Sequence, residues 1–501
     1  MSLALLICFG VSACNGVTSQ TDSNGSQSSE NSISDSAMDE TSENINTSSS
    51  SEETDNTPSK EEITYETYGS YWFPQHDPYT MPVSAYNSCP PQEGRYTQNF
   101  MLSEDLFRMY SEAGVNTMMG LTDFVTAHSS SVEAALDYCY DYNLAYLLAY
   151  TSAWKVSSES SIRSALARVM YHDNFAGIML SDEPGRVMFE DMAKSAGLFE
   201  NVLKDVSPKL YHANLFPTYA NQKQLWFRSY TSSDVVPDET YDYEQYVQDY
   251  LDIYQPPVLS YDHYPIRGQF PCLANGYFEN MSIIRKAALE RNIPFWTYVQ
   301  TCSFAKGQRL PTEADLLWNV NTCLAYGAKG IQYFCGVVPN DSGEIFNGAM
   351  FDHTGAPTEV YYHVQKANKQ LAAIDEVLMC SKSRGLIVAG VMPQLNDGSE
   401  NRMSIPQEDI LVNYGKLFSV DSEHAMIGCF DYNGKTALYV VNNAIADDTE
   451  TGATAATTAT LRFDGAVKGY YVKEAVKGNF TGESLLLEFV PGEGVLVVIE
   501  E

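Results

Sequence analysis

From Thr64 to about Ser381, short apolar runs alternate with longer stretches whose apolar positions recur at helical spacing. The apolar runs are Gly69–Phe73, Val115–Leu121, Leu144–Tyr150, Ala176–Ser181, Leu210–Leu215, Val258–Asp262, Pro294–Gln300 and Gly330–Phe334. Between and after them, helical spacing is found near Glu104–Ala113, Ser131–Tyr142, Ser160–Tyr171, Phe189–Leu203, Glu244–Tyr254, Glu279–Arg291, Thr312–Tyr326 and Glu359–Val377. Strict alternation of eight strands and eight helices predicts an α/β fold, a (β/α)8 TIM barrel. Strands that are apolar nearly throughout fit a parallel sheet covered on both faces. Gly114 and Gly330 stand between a helix and the next strand, where a C-cap belongs. An open doubly wound sheet needs a Gly-rich turn after its first strand, and Pro74-Gln75-His76-Asp77 offers none.

The rhythm changes after Ser381. Leu386–Val391, Ala425–Tyr432, Thr436–Val441, Ala459–Phe463, Gly469–Val472, Ser484–Phe489 and Val495–Ile499 are short alternating runs separated by Gly, Asn and Asp turns. They predict a C-terminal antiparallel β-sandwich over 382–501, after a barrel over 63–381. At the other end, an apolar run over Leu3–Val11 leads into Val11-Ser12-Ala13-Cys14. The run is too short for a membrane-spanning helix and reads as a secretory signal over residues 1–14. Its last four residues resemble the lipobox of bacterial lipoproteins, although no Lys or Arg precedes the run. That resemblance implies cleavage before Cys14, lipid on its thiol, and a protein tethered to the extracellular face of the cell membrane. Residues 15–62 are polar, acidic and Ser/Thr-rich, a composition that cannot offset its own chain entropy, so a disordered tether is expected there.

Composition narrows the partners. The net charge of −34 leaves no basic surface for nucleic acid and disfavours an acidic polymer as substrate, unless a local basic pocket overrides it. The ten cysteines include no CxxC pair, so neither a zinc site nor a dense disulfide framework is indicated. No motif calls for a metal or a cofactor, and P-loop, HExxH and Gly-x-Ser-x-Gly patterns are missing. Oligomeric state is not encoded in any of these features.

Chemistry in such a barrel sits at the C-terminal ends of the strands. Read there, the sequence offers Trp72, Tyr150, Asp182 and Glu183, Asn214, Asp262 and Tyr264, then Trp296, Tyr298 and Gln300, and finally Tyr333. Aromatic rings with carboxylates suit pyranoses, which have apolar CH faces and hydroxyl edges. Glycoside cleavage needs two carboxyl groups flanking the scissile bond. Glu183 is the expected general acid, since burial after an apolar strand raises a carboxyl pKa. In an arbitrary protein an Asp-Glu-Pro triplet is an ordinary helix start, and only its place at a strand end gives it weight.

Gly177-Ile178-Met179-Leu180-Ser181-Asp182-Glu183-Pro184 resembles the fourth strand of clan A glycoside hydrolases, which ends in Asn-Glu or Asn-Glu-Pro. Tyr326–Phe334 and Phe351–Thr358 are similar to their eighth strand and the approach to its helix. The beta-galactosidase family 42 is the nearest branch. The resemblance implies a glycosidase acting on an oligo- or polysaccharide, with Glu183 as acid/base. The clan's nucleophile Glu ends strand seven, whereas here Phe295–Gln300 ends in Gln. Asp262 or Asp182 is then the candidate partner, as nucleophile, base or orienting group. The competing expectation is a catalytically silent glycan-binding protein on the same scaffold.

Overall fold

The computed structural model describes residues 66–90, 101–120, 129–149, 153–206, 209–268, 276–304, 307–339, 345–393, 395, 402–445 and 456–501. The expected Cys14 lipid anchor, the 15–62 tether and Tyr150 lie outside these residues.

Eight parallel strands close into a barrel: β1 (Val83–Ala85), β2 (Thr117–Gly120), β3 (Ala145–Leu148), β4 (Phe175–Asp182), β5 (Leu210–Leu215), β6 (Leu259–Asp262), β7 (Phe295–Gln300) and β9 (Ile331–Phe334). β1 pairs with both β2 and β9, which completes the ring. The outer layer is α1 (Glu104–Glu112), α2 (Ser129–Asp141), α3 (Glu159–Leu166), α4 (Phe189–Leu203), α5 (Gln222–Phe227), α6 (Tyr243–Ile253), α7 (Tyr277–Arg291), α8 (Glu313–Tyr326), α9 (Glu359–Ala372) and α10 (Asp375–Met379). A two-stranded antiparallel sheet of β8 (Cys302–Phe304) and β10 (Phe346–Gly348) stands on the loops after β7 and β9. α5 and this two-stranded sheet were not signalled by periodicity, because each is too short to show one.

One expected strand is displaced. Gly69–Phe73 is not the first strand; that role belongs to Val83–Ala85. The 69–76 segment instead closes the N-terminal end of the barrel. Tyr71 and Phe73 pack edge-on against Trp296, near the start of β7. Gly69 meets the backbone of Ile293, and His76 Nε2 lies 3.0 Å from Asn116 O just before β2. Three aromatics in a row look like a buried strand in sequence, yet here Phe73 is buried by plugging the barrel floor while Trp72 stays exposed.

Alternation sorts the barrel strands into two cores. Leu259, Tyr261, Phe295, Val299 and Ile331 face the helices, and Met119, Leu147, Met179, Leu210, Trp296 and Tyr298 fill the interior. β4 is buried along nearly its whole length. Gly177 lets β4 approach β5 closely, since a Cβ there would come within 2.0 Å of Leu210 O.

After the barrel come β11 (Ser381–Gly390), β12 (Leu417–Ser422), β13 (His424–Tyr432), β14 (Lys435–Asn442), β15 (Thr457–Lys473), β16 (Val476–Phe489) and β17 (Gly494–Ile499). They form one seven-stranded antiparallel sheet whose end strands, β11 and β12, approach each other. The sheet therefore curls sandwich-like round its own core of Ile427, Leu438, Leu461, Leu487 and Val497. Two expected short strands, Ala459–Phe463 and Gly469–Val472, are halves of the single long β15.

α8 joins sheet to barrel, which explains why it is buried on almost every side. Trp318 Nε1 donates to Asn443 Oδ1 at 2.8 Å, and Asn321 Nδ2 to Gly492 O at 2.7 Å. Thr312 caps the helix in a capping box with Asp315, and Gly327 ends it at φ 100°.

Candidate active site

The fourth strand aims its last residues by a bulge. Met179 pairs with His212 and Ser181 with Ala213, so Leu180 is the extra residue. This shifts the alternation and turns Asp182 inward beside Asn214. Glu183 follows at φ 47°, a left-handed conformation that is costly for a side chain of this type. Three contacts hold it. Its N–H donates to Asn214 O at 2.8 Å, and Tyr246 OH donates to the neighbouring Pro184 O at 2.7 Å. Gly185 lies so close to Arg228 that a Cβ would come within 2.5 Å of the Arg228 nitrogen.

A directed chain of hydrogen bonds crosses the barrel beneath this turn. Gln332 Nε2 donates to Ser260 Oγ at 2.7 Å, Ser260 Oγ to Asn214 Oδ1 at 3.1 Å, and Asn214 Nδ2 to Asp262 Oδ1 at 3.0 Å. Asn214 also hydrogen-bonds Asp182, so one amide holds the carboxyls of β4 and β6 together. The chain fixes which way the Asn214 amide points. Tyr264 completes the hydrogen bonds of Asp262.

Asp182, Glu183 and Asp262 form one electrostatic unit. Burial, then the charges of Asp262 and Asp182, push Glu183 well above the usual carboxyl range; Arg228 opposes this. Burial and the charge of Asp182 raise Asp262 to about 8, against hydrogen bonds that favour its anion. Asp182 is also raised by burial, but Arg228 and Asn214 both favour its charged form. The charges of Asp262 and Asp182 thus favour the protonated form of Glu183. Of the two aspartates, Asp262 acts more strongly on Glu183.

The other candidates divide by depth. Asn214, Asp262 and Tyr264 stand with Asp182 and Glu183 at the C-terminal mouth. Tyr298, in register with Asp262, lies in the barrel interior below them with its hydroxyl 3.4 Å from Met119 Sδ. Four expectations for sugar contacts fail on geometry. Trp72 belongs to the plug at the opposite end. Trp296 is 1% exposed and packs on that plug and on His212. Tyr333 points outward, its hydroxyl donating to Asn368 Oδ1 of α9 at 2.6 Å. Gln300 is fully buried; its Nε2 donates to Cys302 O at 3.0 Å and Arg309 O at 2.7 Å, so it braces the loop after β7.

Residues without a motif join the site. Arg228 lies close enough to act on both Asp182 and Glu183, and Tyr219 feels Asp262 and Glu183. Ser260 and Gln332 had a sequence signal, being polar at inward positions of apolar strands. Arg228 had none, since only the tertiary turn brings it there. Among the described residues no cluster of three His, Cys, Asp or Glu side chains could hold a metal ion.

No curated protein sequence matches the chain. Among solved structures, it is similar to Gan42B, a GH42 beta-galactosidase from G. stearothermophilus, at TM-score 0.50 and 10% identity over 87% of this chain and 100% of that one. It is also similar to a beta-galactosidase from Bacillus circulans sp. alkalophilus, at TM-score 0.47 and 11% identity over 84% and 99%. For the beta-galactosidase of the psychrophilic Marinomonas ef1 the values are 0.44 and 10%, and the chain spans only 61% of its own length and 63% of that enzyme's. At such identity the likeness concerns the fold. A family model, that of the glycoside hydrolase family 42 beta-galactosidases, matches residues 207–374, from just before β5 to the end of α9. The match covers Asn214, Asp262 and Gln300 but stops short of Glu183, and over that third of the chain the family 42 resemblance read from the strand motifs holds.

Proposed function

We propose that this protein is a glycoside hydrolase of the cell surface, with Glu183 as general acid and Asp262 as its partner carboxylate. The observation that carries the reading is the meeting of Glu183 and Asp262 at the mouth of a closed barrel, with Asn214 braced between their strands. β4 and β6 are separated by one strand, so their backbones lie roughly 10 Å apart. Side chains reaching inward from that separation can flank a glycosidic bond.

Glu183 donates its proton to the glycosidic oxygen as the bond breaks. Burial and two neighbouring carboxyls favour its protonated form, as a general acid requires. Asp262, once ionised, supplies the negative charge opposite, either to the anomeric carbon or to an attacking water. The Arg228 charge favours the ionised form of Asp182, and that charge in turn favours the protonated form of Glu183. Tyr219, which is 42% exposed, offers the sugar the ring face that Arg267 does not cover. A lipid on Cys14 would hold the enzyme at the outer membrane face, so incorporation of labelled palmitate by the wild type and not by Cys14→Ala is expected.

A panel of 4-nitrophenyl glycosides, given to the wild type and to Glu183→Gln, tests the chemistry. Turnover of at least one glycoside by the wild type, lost in the variant, supports it; equal turnover in both removes Glu183 from the mechanism. The fully buried Gln300 favours a second reading, glycan binding without cleavage, because the end of β7 carries no carboxylate. Binding of an oligosaccharide that is never turned over would establish that alternative.

A further inference from the structure

Three arginines, Arg186, Arg228 and Arg267, lie on the turns around the carboxyls of the mouth. Arg186, at the turn after β4, is already engaged by Glu190 and Asp249. Arg228 and Arg267 have no such carboxylate partner among the described residues.

Arg228 is held in an expensive conformation. It ends α5 at φ 65° and ψ −64°, and the next residue's N–H (Ser229) donates back to Phe227 O at 2.8 Å. That is a γ-turn of the rarer, positive-φ kind, which strains any residue other than glycine. The turn sits against Gly185, directly behind Glu183.

Arg267 follows β6 by five residues. Its guanidinium lies over the Tyr219 ring, 5.1 Å from the centroid, and Tyr219 is 42% exposed. The Tyr219 ring in turn packs edge-on against His263, next to Asp262. Arg267 also hydrogen-bonds the Tyr219 hydroxyl, and a guanidinium with five N–H donors has others left for a further partner. The Arg267 Nε–H is buried and meets no acceptor among the described residues, an unsatisfied donor that calls for an explanation.

We propose that the substrate is an acidic glycan, in which a pyranose bound at this mouth carries an anionic group, a carboxylate or a sulfate, held by Arg267 with Arg228 reinforcing the field. The inference rests on reading the mouth as a sugar site and goes beyond it by naming the sugar class. Arg228 faces Asp182 and Glu183, and Asp182 takes up one positive charge. Asp262, ionised in the active form, makes no ion pair with Arg267, so among the described residues the Arg267 guanidinium has no direct carboxylate contact. The strong negative charge of the whole chain makes two such arginines at one mouth a local exception.

The full-length wild type, Arg228→Gln, Arg267→Gln and Arg267→Lys are compared, with folding checked by circular dichroism. The probes are 4-nitrophenyl galactosides, their 6-sulfated forms and the matching galacturonides, in both anomers, with the gluco-configured counterparts. The best acidic substrate is expected to exceed its neutral counterpart in kcat/KM by about tenfold or more, the worth of one charged hydrogen bond. That ratio should collapse in Arg267→Gln, recover in part in Arg267→Lys and fall less in Arg228→Gln. Preference for the galacturonide assigns a carboxylate, and preference for the sulfated sugar assigns a sulfate. A ratio near one, or one that Arg267→Gln leaves unchanged, overturns the inference while leaving the hydrolase reading intact. If no glycoside is cleaved, the hydrolase reading fails alone. Calorimetric titration with trigalacturonic acid and galactotriose then decides the inference: tighter binding of the acid upholds it, and equal or absent binding overturns it.

Discussion

The two ends of this barrel are built from similar residue types and serve opposite ends. Both carry tyrosine, histidine and aromatic rings next to strand termini. At the N-terminal end Phe73, Trp296 and His212 are buried, and the partly buried Tyr71 packs against Phe73 and Trp296. At the C-terminal end the rings of Tyr219 and Tyr264 share space with three carboxyls, two arginines and a directed amide relay. Aromatic residues alone do not mark a sugar site; a cluster of carboxyls beside them does. The floor supplies rigidity, and the mouth holds strained residues such as Glu183 and Arg228 that only a rigid frame can keep in place.

The contrast can be broken most sharply at Glu183. Glu183→Gln should lower kcat/KM by about 10²–10⁴, the range for loss of a general acid, with an unchanged melting temperature. At the floor the pattern should invert. Trp296→Ala removes a side chain that is only 1% exposed, so a loss of about 3–5 kcal/mol in denaturant unfolding is expected. Its kcat/KM, measured where the variant is still folded, should stay within a few-fold of wild type. A large catalytic loss with unchanged stability would place Trp296 at the substrate after all.

A smaller effect separates the roles within the mouth. The active form needs Asp262 ionised and Glu183 protonated. Burial, then Asp182, raises Asp262 to about 8, so kcat/KM should climb as pH rises through about 8. It should decline only where Glu183, raised well above the usual range, gives up its proton. Asp182→Asn removes the like charge from both groups, and both limbs of the profile should move to lower pH. An unmoved acid limb would exclude Asp262 as the ionising partner. The smallest effect belongs to Trp72, which lies at the floor and is 38% exposed. Trp72→Ala should change KM for a cleaved glycoside by less than twofold, and a rise of tenfold would return it to the sugar site.

Much of this architecture is legible in the sequence. Strands such as Leu210–Leu215 and helices such as Phe189–Leu203 have bounds that match the apolar periodicity, because each is buried on the face its pattern marks. Gly69–Phe73 was misread since a plug and a buried strand have the same apolar signature. Asp182, Glu183, Asn214 and Asp262 were visible as polar groups ending apolar strands. Trp296 and Tyr333 were placed wrongly because a strand's outward and floor-ward rings look, in sequence, like those at its mouth. Arg228 and Arg267 could not be seen, for their positions come from a γ-turn and a stacking contact that no local pattern announces.

The central claim is that Glu183 protonates the departing oxygen. It is tested most directly by kcat/KM of wild type and Glu183→Gln on a pair of glycosides of one sugar, one with a 2,4-dinitrophenyl leaving group and one with an alkyl group. The first leaves without protonation and the second cannot. The account predicts that Glu183→Gln keeps its rate on the dinitrophenyl glycoside to within about tenfold and loses roughly 100-fold or more on the alkyl glycoside. Equal losses on both, or none on either, would contradict it.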